Sequence, residues 1–153
     1  MLLIPSALTR IISDYADLRF INGDGFSWSP NKNEITYQVD DPDGLEHLLH
    51  EISHAQLKHR KYTTDLELIQ MERAAWHHAK QVLAANYNVP IADDLIQNDL
   101  DTYRDWLHAR STCPHCSSNG IQTAQQTYQC LICHQTWTVN QALHCQLKRY
   151  KNK

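Results

Sequence analysis

His50-Glu51-Ile52-Ser53-His54 lies within Gly44-Leu45-Glu46-His47-Leu48-Leu49-His50-Glu51-Ile52-Ser53-His54-Ala55-Gln56-Leu57. Leu45, Leu48, Leu49, Ile52 and Ala55 recur at helical spacing, so the stretch reads as a helix with one core stripe. Residues four apart on a helix share a face, and His50 and His54 can turn two imidazoles toward one metal ion. Glu51 is rotated by about 100° from His50. Its carboxylate then sits beside the ion, where it can take a proton from bound water. The bland alternative is a solvated, His-rich helix face, because the chain holds ten His and a bare match also arises by composition.

Toward the N-terminus, Asp40-Asp41-Pro42-Asp43-Gly44 ends a strand, and its acids are placed to cap the motif helix and suit its positive end. Before it, Phe26–Ser29 and Glu34–Val39 alternate around the turn-rich Pro30-Asn31-Lys32-Asn33, which predicts a β-hairpin with Ile35, Tyr37 and Val39 on one face. A strand thus runs directly into the motif helix. An edge strand at this place would add main-chain hydrogen bonds to an extended peptide; the plainer role is a small sheet covering the helix. Residues 6–20 carry Leu8, Ile11, Ile12, Tyr15 and Leu18 at helical spacing, with Ser6 as N-cap.

Toward the C-terminus, Lys58-His59-Arg60-Lys61-Tyr62 breaks the apolar pattern. A second helix starts at Thr63 or Thr64, with Thr64 and Glu67 spaced as a capping box, and runs to Leu83. Leu68, Met71, Ala75, Ala79 and Val82 are its expected buried side, and Pro90 closes the segment. A third helix comes next, with Leu95, Ile96, Leu100, Tyr103, Trp106 and Leu107 as apolar positions.

A catalytic zinc takes three protein ligands and keeps one position open. His50 and His54 supply two. His59 lacks the offsets of the metzincin pattern, since Leu57 and Arg60 stand where Gly and His are needed. Glu72 is the better candidate, being mid-helix among core positions, where an inward carboxylate needs a positive partner. Glu67 competes as a ligand, although its capping position gives it another explanation. Tyr62, His59, His77 and His78 are candidate donors to an oxyanion, and the sequence does not choose among them.

His50-Glu51-x-x-His54, followed by a helix reading Glu72-x-x-Ala75-Trp76-x-x-Ala79, resembles the gluzincin-type zinc metallopeptidases of the ImmA/IrrE-like and minigluzincin-like kind. The resemblance covers about residues 20–85. It implies a small zincin-like catalytic domain with a short β-sheet, an active-site helix and a glutamate helix. It further implies zinc on His50, His54 and Glu72, Glu51 as general base toward zinc-bound water, and Trp76 and Ala79 as packing positions. The chain departs from the thermolysin-like pattern four residues after Glu72, where Trp76 replaces the Asp that would orient a ligand. SprT-like proteins also join H-E-x-x-H to a zinc ribbon, but they use a third His, and the glutamate helix fits them less well.

Cys113-Pro114-His115-Cys116 and Cys130-Leu131-Ile132-Cys133 form a second pattern, C-x₂-C twice, able to close a structural Cys₄ zinc site. With the Asn119-Gly120 turn and strand-like runs at Tyr128 and Trp137, it resembles a zinc ribbon. His115 and His134 are possible substitutes as ligands, and Cys145 is left over as a buried or free thiol. So small a module would fold on its metal.

Composition supports two modules. Residues 111–153 hold four basic residues and no acid, whereas residues 1–110 hold 10 basic and 17 acidic residues. The expected architecture is α+β: a catalytic domain over 1–110 and a zinc ribbon with a basic tail over 111–153. No apolar run reaches membrane-spanning length and the start, Met1–Arg10, is a poor signal peptide, so a cytoplasmic protein that uses no membrane is expected. Cys without an export signal also favour metal over disulfides. The expected activity is zinc-dependent hydrolysis of a peptide or protein substrate, with one catalytic and one structural zinc. The rival is a non-catalytic zinc-ribbon adaptor for nucleic acid or protein, built on a latent or degenerate protease fold. A Cys₄ zinc carries a formal negative charge, which leaves the tail modest for phosphate binding and puts structural or protein-docking use first.

Overall fold

The computed structural model describes residues 4–143 and 145–153; residues 1–3, at the head of the N-terminal stretch, and residue 144 lie outside the described residues. The fold is α+β. In chain order the elements are α1 (Ile4–Asp14), β1 (Arg19–Asn22), β2 (Ser27–Ser29), β3 (Glu34–Tyr37), α2 (Gly44–Gln56), α3 (Asp65–His78), a π-helical turn (Ala79–Leu83), α4 (Ala84–Tyr87), α5 (Asp93–Ser111), β4 (Gly120–Ala124), β5 (Thr127–Cys130), β6 (Thr136–Val139) and β7 (Arg149–Lys151). They form two compact units, each built from two segments of chain: Met1–Arg60 with Met71–Ile96, and Lys61–Gln70 with Gln97–Lys153. This spatial division differs from the compositional one after residue 110, since it groups the second part of α5 with the Cys-rich segment. Among the described residues no helix is long and apolar enough to cross a membrane.

The first unit holds a three-stranded sheet in the order β1-β3-β2. β2 and β3 form the expected hairpin, Trp28 opposite Ile35. β1 runs parallel to β3, Phe20 opposite the same Ile35. The helix expected over residues 6–20 therefore stops early. The Leu18 N–H closes a turn on the Tyr15 carbonyl, the Arg19 N–H donates to the Asn33 carbonyl, and Asn33 Nδ2 donates to the Asp17 carbonyl at 2.6 Å. Pairing with the hairpin overrides local helical spacing. It also makes β3 the central strand, so the strand that leads into α2 has no free edge; the open edges of this sheet are β1 and β2.

α2 buries seven consecutive residues, Leu48 to His54. A helix covered all round is a core element, and its polar groups need partners. The Ser53 hydroxyl donates to the Leu49 carbonyl at 2.8 Å. At the start, Asp43 occupies the N-cap without a side-chain cap bond. Asp41 instead accepts the Asp43 N–H at 2.8 Å, so the acids tie the loop rather than cap the helix as expected. At the end, Lys58 is left-handed at φ 58°. Its N–H reaches the Ala55 carbonyl and the His59 N–H reaches the His54 carbonyl. That bond pair is a Schellman cap, with Lys where Gly is usual.

The second helix is continuous from Asp65 to Tyr87, through the π-helical turn. A π turn holds more residues than an α turn and so rotates the faces of the helix beyond it. Ala75 and Trp76 are buried before it, Ala79 and Leu83 at its two ends, and Ala84 and Tyr87 after it. Val82, expected inside, is 50% exposed for this reason. Asn88, left-handed at φ 53°, closes the helix ahead of Pro90.

In the second unit, Thr64 Oγ1 accepts the Glu67 N–H at 3.2 Å while Glu67 accepts the Thr63 N–H at 2.7 Å, giving α3 a capping box shifted by one residue on the return bond. The strands β4-β5-β6-β7 form an antiparallel meander. Its core is Cys113, Tyr128, Cys130, Trp137 and Val139, with Leu107 and Leu147 against it. Tyr128 stacks on Trp137, centroids 5.7 Å apart. Gly120 faces Cys130 across the first pair; a Cβ there would lie 2.5 Å from the Gln129 carbonyl oxygen and 2.6 Å from Trp137. Beneath the sheet, Arg110 and Asp65 form a buried ion pair at 2.7 Å, the Tyr128 hydroxyl donates to Asp65, and the Trp137 indole donates to the Arg110 carbonyl at 2.9 Å.

Candidate metal centres

In the first unit α2 supplies His50, Glu51 and His54, and α3 supplies Glu72. All four are buried. His50 Nε2 lies 2.8 Å from Glu72 Oε2, His54 Nε2 lies 3.2 Å from Glu72 Oε1, and the two Nε2 atoms are 3.2 Å apart. Three donor groups on one triangle is the arrangement a tetrahedral ion needs. Zinc bonds of 2.0–2.1 Å imply ligand edges of about 3.3 Å, so the triangle accepts zinc with small outward shifts. A Glu51 carboxylate oxygen lies within 4.8 Å of a nitrogen of each His, next to the triangle.

Electrostatics follow from this packing. Burial raises the Glu72 carboxyl, but hydrogen bonds and charge from His50 and His54 outweigh it and hold it at about 2. Glu72 is therefore a carboxylate inside the fold, as a cation ligand must be. Glu67, the other candidate ligand, has an exposed carboxylate bonded to Thr63, and those bonds lower its pKa.

Around the triangle the rings form a column. Trp76 stacks on His50, centroids 4.2 Å apart and planes at 24°. Its edge meets His47 at 5.4 Å, and His47 stacks on Phe26 at 5.1 Å. On the other side, His54 Nδ1 lies 2.8 Å from His59 Nδ1. His59, a candidate third ligand or oxyanion donor by sequence, thus meets the nitrogen of His54 that faces away from Glu72. Burial and then His54 lower its pKa. The Trp28 indole N–H donates to the His59 carbonyl at 3.0 Å. Of the other candidate donors, His78 bonds Gln56 at 2.7 Å, His77 is exposed, and the Tyr62 hydroxyl donates to Gln141 in the second unit. Sequence reasoning missed the roles of Trp28 and His59. Trp76 carried a signal, since it lies four residues past Glu72 on the same face.

In the second unit Cys113, Cys116, Cys130 and Cys133 place their sulfurs within 4.8 Å of one another. Cys113–Cys133 is 3.7 Å and Cys116–Cys130 is 3.5 Å. Zinc–thiolate bonds of 2.3 Å imply edges of about 3.75 Å, so this cluster fits a Cys₄ zinc. His115 and His134 are outside the four-sulfur group. Each C-x₂-C pair turns on a left-handed residue, Ser117 at φ 66° and His134 at φ 63°. The turns aim N–H groups at sulfur: His115 at Cys113 and Ile132 at Cys130, both 3.4 Å. Hydrogen bonds from Ser118 lower the Cys116 thiol to about 6, whereas at Cys133 the lowering bond from Gln135 is outweighed by burial and the other three cysteines, which push that thiol up to about 12. Cys145 is a free, exposed thiol.

No known protein family, curated protein or solved structure matches this chain.

Proposed function

We propose that this chain is a zinc-dependent peptidase of gluzincin type, with a Cys₄ zinc ribbon as its second module. The carrying observation is the convergence of His50, His54 and Glu72 on one buried triangle with the Glu51 carboxylate beside it. In this reading His50, His54 and Glu72 hold the catalytic zinc, and Cys113, Cys116, Cys130 and Cys133 hold a structural one. Zinc, when bound, polarises a peptide carbonyl and lowers the pKa of water. Glu51 accepts the proton of the attacking water and returns it to the leaving amine. Trp76, stacked on His50, keeps that imidazole on the triangle. The occupant of the site is an extended peptide or protein segment. The ribbon serves as a fold element or docking module for that substrate, and the protein works in the cytoplasm.

Metal content tests the proposal. Wild type is expected to hold two zinc ions, and His50→Ala and Glu72→Ala one each. With two zincs in place, hydrolysis of a peptide library is expected from wild type and not from Glu51→Gln. One zinc in wild type, retained in His50→Ala, would sink the peptidase and promote the ribbon adaptor. Two zincs in Glu72→Ala with one in His50→Ala would remove Glu72 from the ligand set.

A further inference from the structure

Building on the metal reading of the His50–His54–Glu72 triangle, we propose that His59 is a positioning residue: it accepts the Nδ1–H of His54 and so fixes the tautomer that presents Nε2 to the metal.

The two nitrogens of one imidazole diverge, and a neutral ring carries a single proton. For His54 to offer the Nε2 lone pair on the Glu72 side, that proton must sit on Nδ1. His54 Nδ1 faces His59 Nδ1 at 2.8 Å, with the rings at 63° and centroids 5.0 Å apart. Two nitrogens at this distance share one proton between them. With an ion on Nε2 in place of the hydrogen bond to Glu72, the Nδ1–H of His54 donates, His59 Nδ1 accepts, and His59 keeps its own proton on Nε2. Ligating histidines commonly bond a carboxylate or carbonyl through the second nitrogen; here a second imidazole takes that place.

The backbone is built to hold His59 there. The left-handed Lys58 turns the chain back over the end of α2, and the His59 N–H bonds the carbonyl of His54 itself at 3.0 Å. From the sheet, the Trp28 indole fastens the His59 carbonyl at 3.0 Å. The same residue pair is thus joined twice, once through backbone and once through side chains. A loop residue meeting its partner only by chance would not need either restraint.

The test uses the full chain with zinc, comparing wild type, His59→Phe, His59→Asn and His50→Ala. Phe keeps the ring without the acceptor, and Asn Oδ1 restores an acceptor near Nδ1. Zinc affinities are read by competition with a chromophoric chelator, and the tautomer of His54 by long-range proton–nitrogen NMR. His59→Phe is expected to weaken one zinc by about 10- to 100-fold while the other binds as in wild type, serving as the control for folding. His59→Asn is expected to recover most of that loss. Wild type is expected to show His54 protonated on Nδ1 and ligating through Nε2. Undiminished affinity for both zincs in His59→Phe, with His50→Ala one zinc short, would overturn the role of His59 and leave the site standing. Ligation through His54 Nδ1, or by His59 itself, would also overturn it. Equal zinc content in wild type and His50→Ala would overturn the site and this role together.

Discussion

The imidazole of His50 lies face-on to the indole of Trp76, with ring centroids 4.2 Å apart. Trp76 has no solvent exposure, and its position four residues beyond Glu72 sets it on the face that carries the carboxylate. One helix thus supplies both the partner of the His50 nitrogen and the wall that keeps the ring from rotating away. Trp76→Ala is expected to cost about 3–5 kcal/mol of stability, from lost burial and the cavity left behind. Trp76→Phe, which retains a smaller stack, is expected to cost less and, under the proposed function, to match wild type in zinc content where His50→Ala falls short. Urea unfolding and zinc content of the two variants check this.

The ribbon makes opposite demands of its backbone at two places. At Gly120 there is no room for a side chain, because a Cβ would meet the Gln129 carbonyl at 2.5 Å. Gly120→Ala is expected to destabilise this sheet by about 1–3 kcal/mol and, with zinc loaded on the four cysteines as proposed, to speed its removal by a chelator. At His134, φ 63° is a conformation that suits Gly. His134→Gly is expected to slow that removal, by relieving about 1 kcal/mol of left-handed strain. Chelator kinetics on both variants read the two signs in one assay.

Arg110 and Asp65 are both buried, and their pair also receives the Tyr128 hydroxyl. Arg110→Ala leaves the Asp65 carboxylate without its cation and is expected to cost about 3–5 kcal/mol. Asp65→Asn together with Arg110→Met removes both charges and is expected to recover a large part of that loss. A double-mutant cycle by chemical unfolding checks the coupling.

Glu67 gives a local pH response. Its hydrogen bonds with Thr63 set its pKa below the ordinary 4.5 in the folded chain. A carboxyl with a lowered folded pKa stabilises above its unfolded value, and the contribution is lost as pH falls below about 4.5 through the folded pKa. The Thr63 amide, 2.7 Å from Glu67, is expected to shift and exchange faster over that interval. Glu67→Gln is expected to abolish the titration, which amide NMR from pH 6 to pH 3 measures.

The parts of this protein legible in the sequence are those encoded within a helical turn or two. His50, Glu51 and His54 lie within five residues of chain, each Cys pair spans four, and Glu72 is marked by core positions on either side. The α+β class and the β2–β3 hairpin are written in local periodicity. What escaped depends on contacts distant in sequence or on backbone geometry that no residue type announces. β1 is a strand because Asn33 and β3 hold it, although Leu18 continues a helical spacing. His59 meets His54 because Lys58 is left-handed, and Lys gives no hint of that as Gly would. Val82 turns outward because the helix leaves α geometry at Ala79.

That departure has a consequence for chain length. In the π turn Ala79–Leu83, hydrogen bonds span five residues instead of four, so the helix holds one residue more than its path requires. Excising Gln81, which is exposed, restores an ordinary α turn while Glu72 and Trp76 on one side and Leu83 and Tyr87 on the other keep their facing. Excision outside this turn, between Glu72 and Tyr87, would swing one end of the helix by about 100° relative to the other. The glutamate helix therefore has one point at which its length can change while both ends keep their places.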